Sequence, residues 1–257
     1  MSLKRTRTAE SRISALLAKY ATPAKKRRVP KKAKRARTIT NYRIGRNVSG
    51  VGSGGFPSTK KVTLKYVENL YLSHTAAGMA NDYFSANGLY DPYIAAGGHQ
   101  PMGFDQWCNT IYNHYCVTGS RIRITYNPHL STLTAPGVFG LNLVDENTAF
   151  STIGYAIEQS SCAGWSTCGD PNQAGTDGTG KPLCSITAEF DAAKMFRMSD
   201  PAGASELQGS VSANPAEQAI FHVWMRGNVS SDAPTHHFLV EIEYDVVFSE
   251  PNQLAQS

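Results

Sequence analysis

The segment best suited to bind a charged partner is KKRRVPKKAKRAR, residues 25–37, which has nine cations in thirteen positions and no acid. Lys and Arg side chains bind phosphate oxygens and release the counterions condensed on a nucleic acid, whatever its base sequence. Residues 1–61 carry 18 Lys and Arg against one acid, whereas residues 62–257 carry 7 against 19. The resulting net charges of +17 and −12 indicate that a polyanionic partner belongs to the N-terminal part alone.

Fourteen of the 18 cations of residues 1–61 are predicted to bind nucleic acid. They are Lys4, Arg5, Arg7, Lys25, Lys26, Arg27, Arg28, Lys31, Lys32, Lys34, Arg35, Arg37, Arg43 and Arg46. The same block has the composition of a nuclear import signal. Packaging a nucleic acid and directing import are compatible roles, and import alone is the alternative.

Two further cations, Arg121 and Arg123, share one face of a predicted strand, with Tyr112 and Tyr115 nearby in sequence. Arg–phosphate contacts beside aromatic rings that stack on unpaired bases hold single strands without reading their sequence. Arg121 and Arg123 are therefore added to the predicted nucleic-acid-binding residues. The alternative is that the tyrosines belong to the core and the arginines pair with acids of residues 62–257.

Other residues with chemical capacity lie on the last predicted strand, where Glu241, Glu243 and Asp245 share one face. Such carboxylates could act on a glycoside or bind a divalent cation between subunits, but a solvated or inter-subunit strand face shows the same alternation. His236 and His237 are adjacent, so in a strand they point to opposite sides and cannot form one metal pair. The sequence has no G-x-S-x-G nucleophile motif. We therefore expect neither enzyme activity nor a cofactor.

The cysteines and the hydropathy pattern indicate the redox environment of the protein and whether it enters a membrane. Five cysteines are an odd number in a chain too long to need disulfides, so we expect reduced thiols in an intracellular protein. Cys162 and Cys168 have no second Cys or His pair at zinc spacing, and no metal site is expected. No apolar run approaches the roughly 18 residues of a membrane span, so no membrane insertion is expected.

From Lys60 onward the apolar residues recur with the period of two that strands require. In KKVTLKYVENLYLS, residues 60–73, Val62, Leu64 and Tyr66 share one face. Further strands are predicted over residues 81–86, 120–128, 136–146, 182–191, 208–212, 218–227 and 236–248.

One segment of this part, GFDQWCNTIYNHY, predicts a helix, because its apolar residues share one helical face from Phe104 to Tyr115. Long connections rich in Gly and Ser, notably residues 147–181, separate the strands. About eight strands with one helix and no βα alternation predict an all-β fold, an eight-stranded antiparallel jelly roll. The predicted organisation is a basic, largely disordered arm with a Gly-rich hinge over residues 1–59 and a jelly-roll domain over residues 60–257.

The segment HQPMGFDQWCNTIYNHYCVTGSRIRITYNP, residues 99–128, resembles capsid proteins of circular, Rep-encoding single-stranded DNA viruses, the circovirus-like group. The order of basic terminus, Gly-rich hinge, first strand, aromatic helix and later strands is also similar to theirs. This resemblance implies a jelly-roll subunit, commonly sixty copies in a T=1 icosahedral shell, around a circular single-stranded DNA genome. It also implies a place in the virion and the host nucleus, with a nuclear import receptor and a cell-surface receptor of unknown identity as host partners. Residues 147–181 match no pattern of the family.

Three alternatives stay open at this point. The coat protein of a small single-stranded RNA virus would share nearly every feature, because phosphate charge does not distinguish DNA from RNA. A cellular nucleic-acid-binding β module would be a monomer or a small oligomer. A carbohydrate-binding jelly roll would leave the basic arm unexplained.

Overall fold

The structure, a computed structural model, describes residues 56–73, 78–127, 136–168, 184–227 and 235–252. The chain divides into two units, Met1–Arg46 and Asn47–Ser257, and all described residues belong to the second. The predicted arm and its Gly-rich hinge therefore lie outside the described residues, except for residues 56–59.

Eight strands form within the described residues. They are β1 (Thr59–Ser73), β2 (Ala80–Ser85), β3 (Tyr112–Tyr126), β4 (Gly137–Val144), β5 (Cys162–Cys168), β6 (Ser185–Asp191), β7 (Ile220–Gly227) and β8 (Thr235–Pro251). The helices are a short π-helix α1 (Gln106–Ile111), α2 (Ile153–Glu158) and α3 (Ala192–Met195), with 3₁₀ turns at Pro201–Gly203 and Ser205–Leu207.

The strands pair into two four-stranded sheets, and every pair is antiparallel. Sheet one has the order β1-β8-β3-β6, and sheet two has the order β2-β7-β4-β5. Strands that are neighbours in the chain thus mostly lie in opposite sheets, and the first strand pairs with the last along the whole length of β1. This is the strand order of an eight-stranded jelly roll, so the predicted fold class is confirmed.

Alternation along each strand fills the space between the sheets. In β1 the side chains of Leu64, Tyr66 and Leu70 are buried, whereas Lys65 between them is exposed, as the period of two predicts. Each large apolar side chain buried in this way stabilises the fold by about 1.5–3 kcal/mol. The core also holds polar atoms with partners: Tyr244 donates its hydroxyl proton to the Ser85 carbonyl oxygen at 2.8 Å.

A second, smaller apolar cluster covers the outer face of sheet two. Its members, called the outer cluster below, are Phe150, Ala156 and Trp224 with the partly buried Met79, Val138, Val144, Ile153 and Ile157. Helix α2 supplies part of this cover, and its N-terminus is capped by the Thr152 hydroxyl oxygen, which accepts a hydrogen bond from the Tyr155 N–H at 3.2 Å. Sheet two is therefore apolar on part of both faces, which period-two patterning alone does not predict.

The predicted helix ends earlier than the apolar periodicity suggested. It stops at Ile111, and Tyr112 is already the first residue of β3. The physical reason is tertiary: β8 offers backbone partners, with Tyr112 opposite Pro251 and Tyr115 opposite Phe248. Strand pairing outweighs the local helical pattern.

The predicted strand at residues 208–212 is wrong, and a strand was missed in the 147–181 connection. Gly209 and Ser210 make only isolated bridges, to Tyr115 and Ala213. The missed strand is β5, which follows α2 and pairs with β4 alone. Its sequence CAGWSTC has few large apolar residues, and its side chains alternate mostly between exposed and half-buried, so the apolar period of two is weak there.

Candidate nucleic-acid interface

The predicted nucleic-acid-binding residues divide sharply by location. The fourteen of them that belong to residues 1–46 lie outside the described residues. Arg121 and Arg123 are described, and both lie on β3, on the face of sheet one that points away from the core. The local cause is the alternation with Ile122 and Ile124, which are fully buried.

Each of these two arginines is engaged by a carboxylate of a neighbouring strand. Arg121 donates to one carboxylate oxygen of Glu189 on β6, from Nε at 2.9 Å and from Nη2 at 2.5 Å. Arg123 donates from Nε to Glu241 Oε2 on β8 at 2.8 Å, and its Nη2 contacts the same oxygen. Both arginines keep about half of their side-chain surface exposed, at 61% and 45%.

Glu241 is the centre of a three-strand ion network. Its second oxygen, Oε1, lies 3.0 Å from the Lys65 Nζ of β1, so the carboxylate bridges β1 and β3 across β8. Partial burial raises the pKa of Glu241, but hydrogen bonds from Arg123 and Lys65 outweigh that effect and hold the pKa below its usual range. The cations of this face are thus largely compensated.

The tyrosines near these arginines are not available to bases. Tyr112 and Tyr115 are fully buried. Tyr112 donates its hydroxyl proton to the Pro57 carbonyl oxygen at 3.1 Å, and the Tyr115 hydroxyl accepts from the Leu89 N–H at 2.9 Å. The arrangement is the alternative weighed from the sequence, with the tyrosines in the core and the arginines paired with acids.

The acidic face of the last strand is exposed, as alternation predicted. Glu243 and Asp245 point to solvent beside Glu241, and Asp245 Oδ1 accepts the Thr63 hydroxyl proton at 2.8 Å. Within the described ranges, no group of three or more His, Cys, Asp or Glu side chains could hold a metal ion. His236 is buried and His237 half-buried, on opposite sides of β8.

A groove of about 950 Å³ runs over the outer face of sheet one beside α3. Its charged lining consists of the acids Glu189, Asp191, Glu243 and Asp245 and the cations Arg121 and Lys194. Lys194 is itself paired with Asp191 at 3.1 Å. A surface with more carboxylates than cations repels phosphate, so this groove does not suit a nucleic acid.

The sequence alone did not predict the ion pair of Arg121 with Glu189 or the place of Lys65 beside Glu241. Glu189 and Lys65 belong to strands whose alternation was recognised, so their exposed face could be predicted. Which strand lies beside β3 could not be predicted, because that depends on the order of strands in the sheet.

Replacing Arg123 by Met should lower the free energy of unfolding by about 0.5–1 kcal/mol at pH 7, a modest figure because the pair is partly exposed. Because the folded-state pKa of Glu241 is depressed, its contribution is present above the unfolded pKa and is lost as pH falls through the folded pKa. Urea unfolding at pH 7 and pH 3 measures both. Arg121→Met is the matched control and should cost less, because Glu189 is 67% exposed whereas Glu241 is 18% exposed. Equal stability of Arg123→Met and the unaltered chain at pH 7 would contradict the network.

No protein-family model matches the sequence, and no curated protein is significantly similar to it. Solved structures similar to the chain in fold include Desmodium yellow mottle tymovirus, at 14% identity and a TM-score of 0.43, covering 79% of this chain and 94% of that one. Cocksfoot mottle virus is similar at 9% identity and a TM-score of 0.47, covering 82% and 94%. The 60-mer BFDV capsid protein is similar at 9% identity and a TM-score of 0.38, covering 79% and 100%. The fold assignment rests on the strand order of the chain itself.

No helix in the described part of the chain is long and apolar enough to cross a membrane.

Proposed function

We propose that this protein is a virus capsid protein, whose jelly-roll body assembles into a closed shell and whose N-terminal arm binds the enclosed nucleic acid. The observation that carries the proposal is the place where the charge changes. Residues 1–61 have a net charge of +17 and end in the first residues of β1, and residues 62–257 have a net charge of −12. Two exposed arginines of the body, Arg121 and Arg123, are paired with Glu189 and Glu241, and acids outnumber cations in residues 62–257, which supports the arm as the part that neutralises phosphate.

The summed positive charge of the arms in one shell is comparable with the phosphate charge of a small genome. About sixty arms of this charge would bring on the order of 10³ positive charges into one shell, comparable with much of the phosphate charge of a genome of a few thousand nucleotides. An arm joined to the body by a Gly-rich segment can follow a nucleic acid of any local shape.

We further propose that the nucleic acid is circular single-stranded DNA, that the shell has sixty copies, and that the arm also serves as a nuclear import signal. The resemblance of residues 99–128 to capsid proteins of circular, Rep-encoding DNA viruses supports these three points. The proposed locations are the virion and the host nucleus, with an import receptor as the arm's second partner and a cell-surface receptor of unknown identity.

The test of arm function is deletion of residues 1–37, which removes 14 of the 18 cations of residues 1–61. The expected result is particles whose protected nucleic acid, measured by the 260/280 nm absorbance ratio and by extraction after nuclease treatment, falls roughly tenfold or more. The matched control replaces every Lys of residues 1–37 by Arg, which keeps the charge and should keep packaging. Deleted particles that enclose normal amounts of nucleic acid would overturn the role of the arm.

Particle size tests the capsid proposal itself. Electron microscopy and sizing of the purified full chain should show closed particles of megadalton mass. A monomer or small oligomer would instead favour a cellular nucleic-acid-binding module. Treating the extracted nucleic acid with DNase and RNase separates the DNA virus from the RNA virus alternative.

A further inference from the structure

Two buried cysteines lie near each other where the edge strands of the two sheets meet, because the Cys184 sulfur contacts the residue directly before Cys168. Cys168 is the last residue of β5, the edge strand of sheet two, and Cys184 directly precedes β6, the edge strand of sheet one. Their exposed fractions are 2% and 3%, and both belong to the main core cluster. They are the two residues that flank segment 169–183.

The contacts of Cys184 place its sulfur against β5. Its Sγ donates to the Thr167 carbonyl oxygen at 3.0 Å and lies 3.6 Å from the Ser166 hydroxyl oxygen. The Thr167 carbonyl carbon is bonded to the nitrogen of Cys168, so the Cys184 sulfur already lies beside the backbone of its proposed partner.

The two side chains also point to the same side. Along β5 the side chains of Trp165 and Thr167 are exposed, whereas Cys168 is buried, so the Cys168 thiol faces the core that also holds Cys184. Burial and, second, the charge of Cys184 raise the pKa of the Cys168 thiol to about 12.

We propose that Cys168 and Cys184 are an oxidation site that forms an intramolecular disulfide, joining the edge of sheet one to the edge of sheet two. The oxidant is a disulfide such as oxidised glutathione. One cysteine thiolate attacks it, forms a mixed disulfide and releases one glutathione; the second thiolate displaces the other glutathione. Two protons leave the protein thiols, and one oxidised glutathione becomes two reduced ones.

The remaining cysteines lack this arrangement. Cys108 and Cys116 donate to the carbonyl oxygens of Asn113, at 4.0 Å, and Pro201, at 3.4 Å. Cys162 is half-exposed. It lies at the opposite end of β5 from Cys168, so it is the thiol that a reagent in solution meets first. We therefore expect Cys162 to react quickly with a reagent in solution, whereas Cys168 and Cys184 react slowly and with each other.

Burial affects the rate of this reaction more than its outcome. Because the thiolate is the attacking species, the raised pKa of both thiols makes oxidation slow at neutral pH. Once formed, the bond would close a short loop between strands of different sheets and restrict the unfolded chain. The expected rise in the thermal midpoint is roughly 5–10 °C.

The experiment equilibrates the purified full chain with oxidised glutathione, blocks free thiols with an alkylating reagent and maps the peptides by mass spectrometry. The expected result is one peptide pair joined through Cys168 and Cys184, with the mass of two hydrogens missing and no bound glutathione, together with the higher thermal midpoint. Cys168→Ser and Cys184→Ser should each abolish the rise, and Cys162→Ser should keep it.

Recovery of both cysteines as alkylated thiols, or as two separate glutathione adducts, after full equilibration would overturn the proposal. So would a joined pair that involves Cys162. The peptide map of the unaltered chain decides the matter even if a serine variant fails to fold. The outcome is independent of the proposed capsid function, because it requires only the folded body.

Discussion

Replacing Gly140 by Ala is expected to lower the free energy of unfolding by about 2–4 kcal/mol. Gly140 lies in β4 opposite Trp224 of β7, and atoms of the indole ring occupy the space beside its Cα. A Cβ atom at this glycine would stand 2.1 Å from Cζ2 of Trp224, far inside van der Waals contact.

Displacing the Trp224 indole costs much free energy, and the expected loss of stability is therefore large. Trp224 is fully buried in the outer cluster and donates from Nε1 to Asn142 Oδ1 at 2.9 Å. Asn142 in turn donates from Nδ2 to the Ala156 carbonyl oxygen in α2 at 3.0 Å. A displaced indole would therefore leave buried polar groups without partners and loosen the helix over sheet two.

Chemical unfolding followed by circular dichroism measures this loss, and Gly154→Ala is its matched control. Gly154 lies in α2, and a Cβ atom there meets nothing within 4 Å. Ala is the better helix former by up to about 1 kcal/mol, so the control should be neutral or stabilising. A Gly140→Ala variant as stable as the unaltered chain would show that the outer cluster is not tightly packed.

Lowering the pH from about 6.5 to about 4 is expected to remove on the order of 3 kcal/mol of stability through His222 alone. The imidazole is fully buried, with Phe150 at 4.2 Å and Tyr83 at 4.6 Å between ring centroids. Its Nε2 lies 2.8 Å from Asn81 Oδ1, an acceptor, so Nε2 carries the proton of the neutral ring. Among the described residues Nδ1 has no hydrogen-bond partner, so a second proton there would be buried without an acceptor.

Burial lowers the pKa of His222 to about 4, below its usual value, and this sets the sign of the effect. As pH falls below the unfolded-state pKa, His222 is protonated in the unfolded chain but stays neutral in the folded chain. Stability is therefore lost between the two pKa values and the loss stays constant below the lower one. The cover that Phe150 provides over sheet two should loosen first, because it packs directly on the ring.

The measurement compares urea unfolding of the unaltered chain and His222→Gln at pH 7 and pH 4.5. The variant keeps Asp82 and all other acids, so the difference in pH slope isolates the imidazole. Proton NMR of the unaltered chain should show the His222 ring still neutral at pH 5. Identical pH slopes for the two chains would refute the assignment.

Two elements show where the pattern of apolar residues predicts secondary structure and where it does not. The alternation of Leu64, Tyr66 and Leu70 in β1 is a property of neighbouring residues, and the structure reproduces it. The helical pattern through Tyr115 was equally regular, yet β3 begins at Tyr112, because β8 supplies hydrogen-bond partners from more than 130 residues away in the chain. Local periodicity predicts an element only where no distant strand competes for the same backbone.

The candidate site divides in the same way. The basic arm is visible from composition, because charge density needs no fold to act on a polyanion. The roles of Arg121 and Tyr115 could not be read from their spacing, since the ion pair with Glu189 and the burial of Tyr115 depend on which elements lie beside β3.

For this protein the sequence by itself determined the charge division, the period-two strands and the all-β class, because each depends on residues close together in the chain. Only the tertiary structure decided the strand order, the cover of α2 over Trp224 and the meeting of Cys168 with Cys184. These features join residues that are far apart in sequence, and their pairing is chosen by the packing of the whole core.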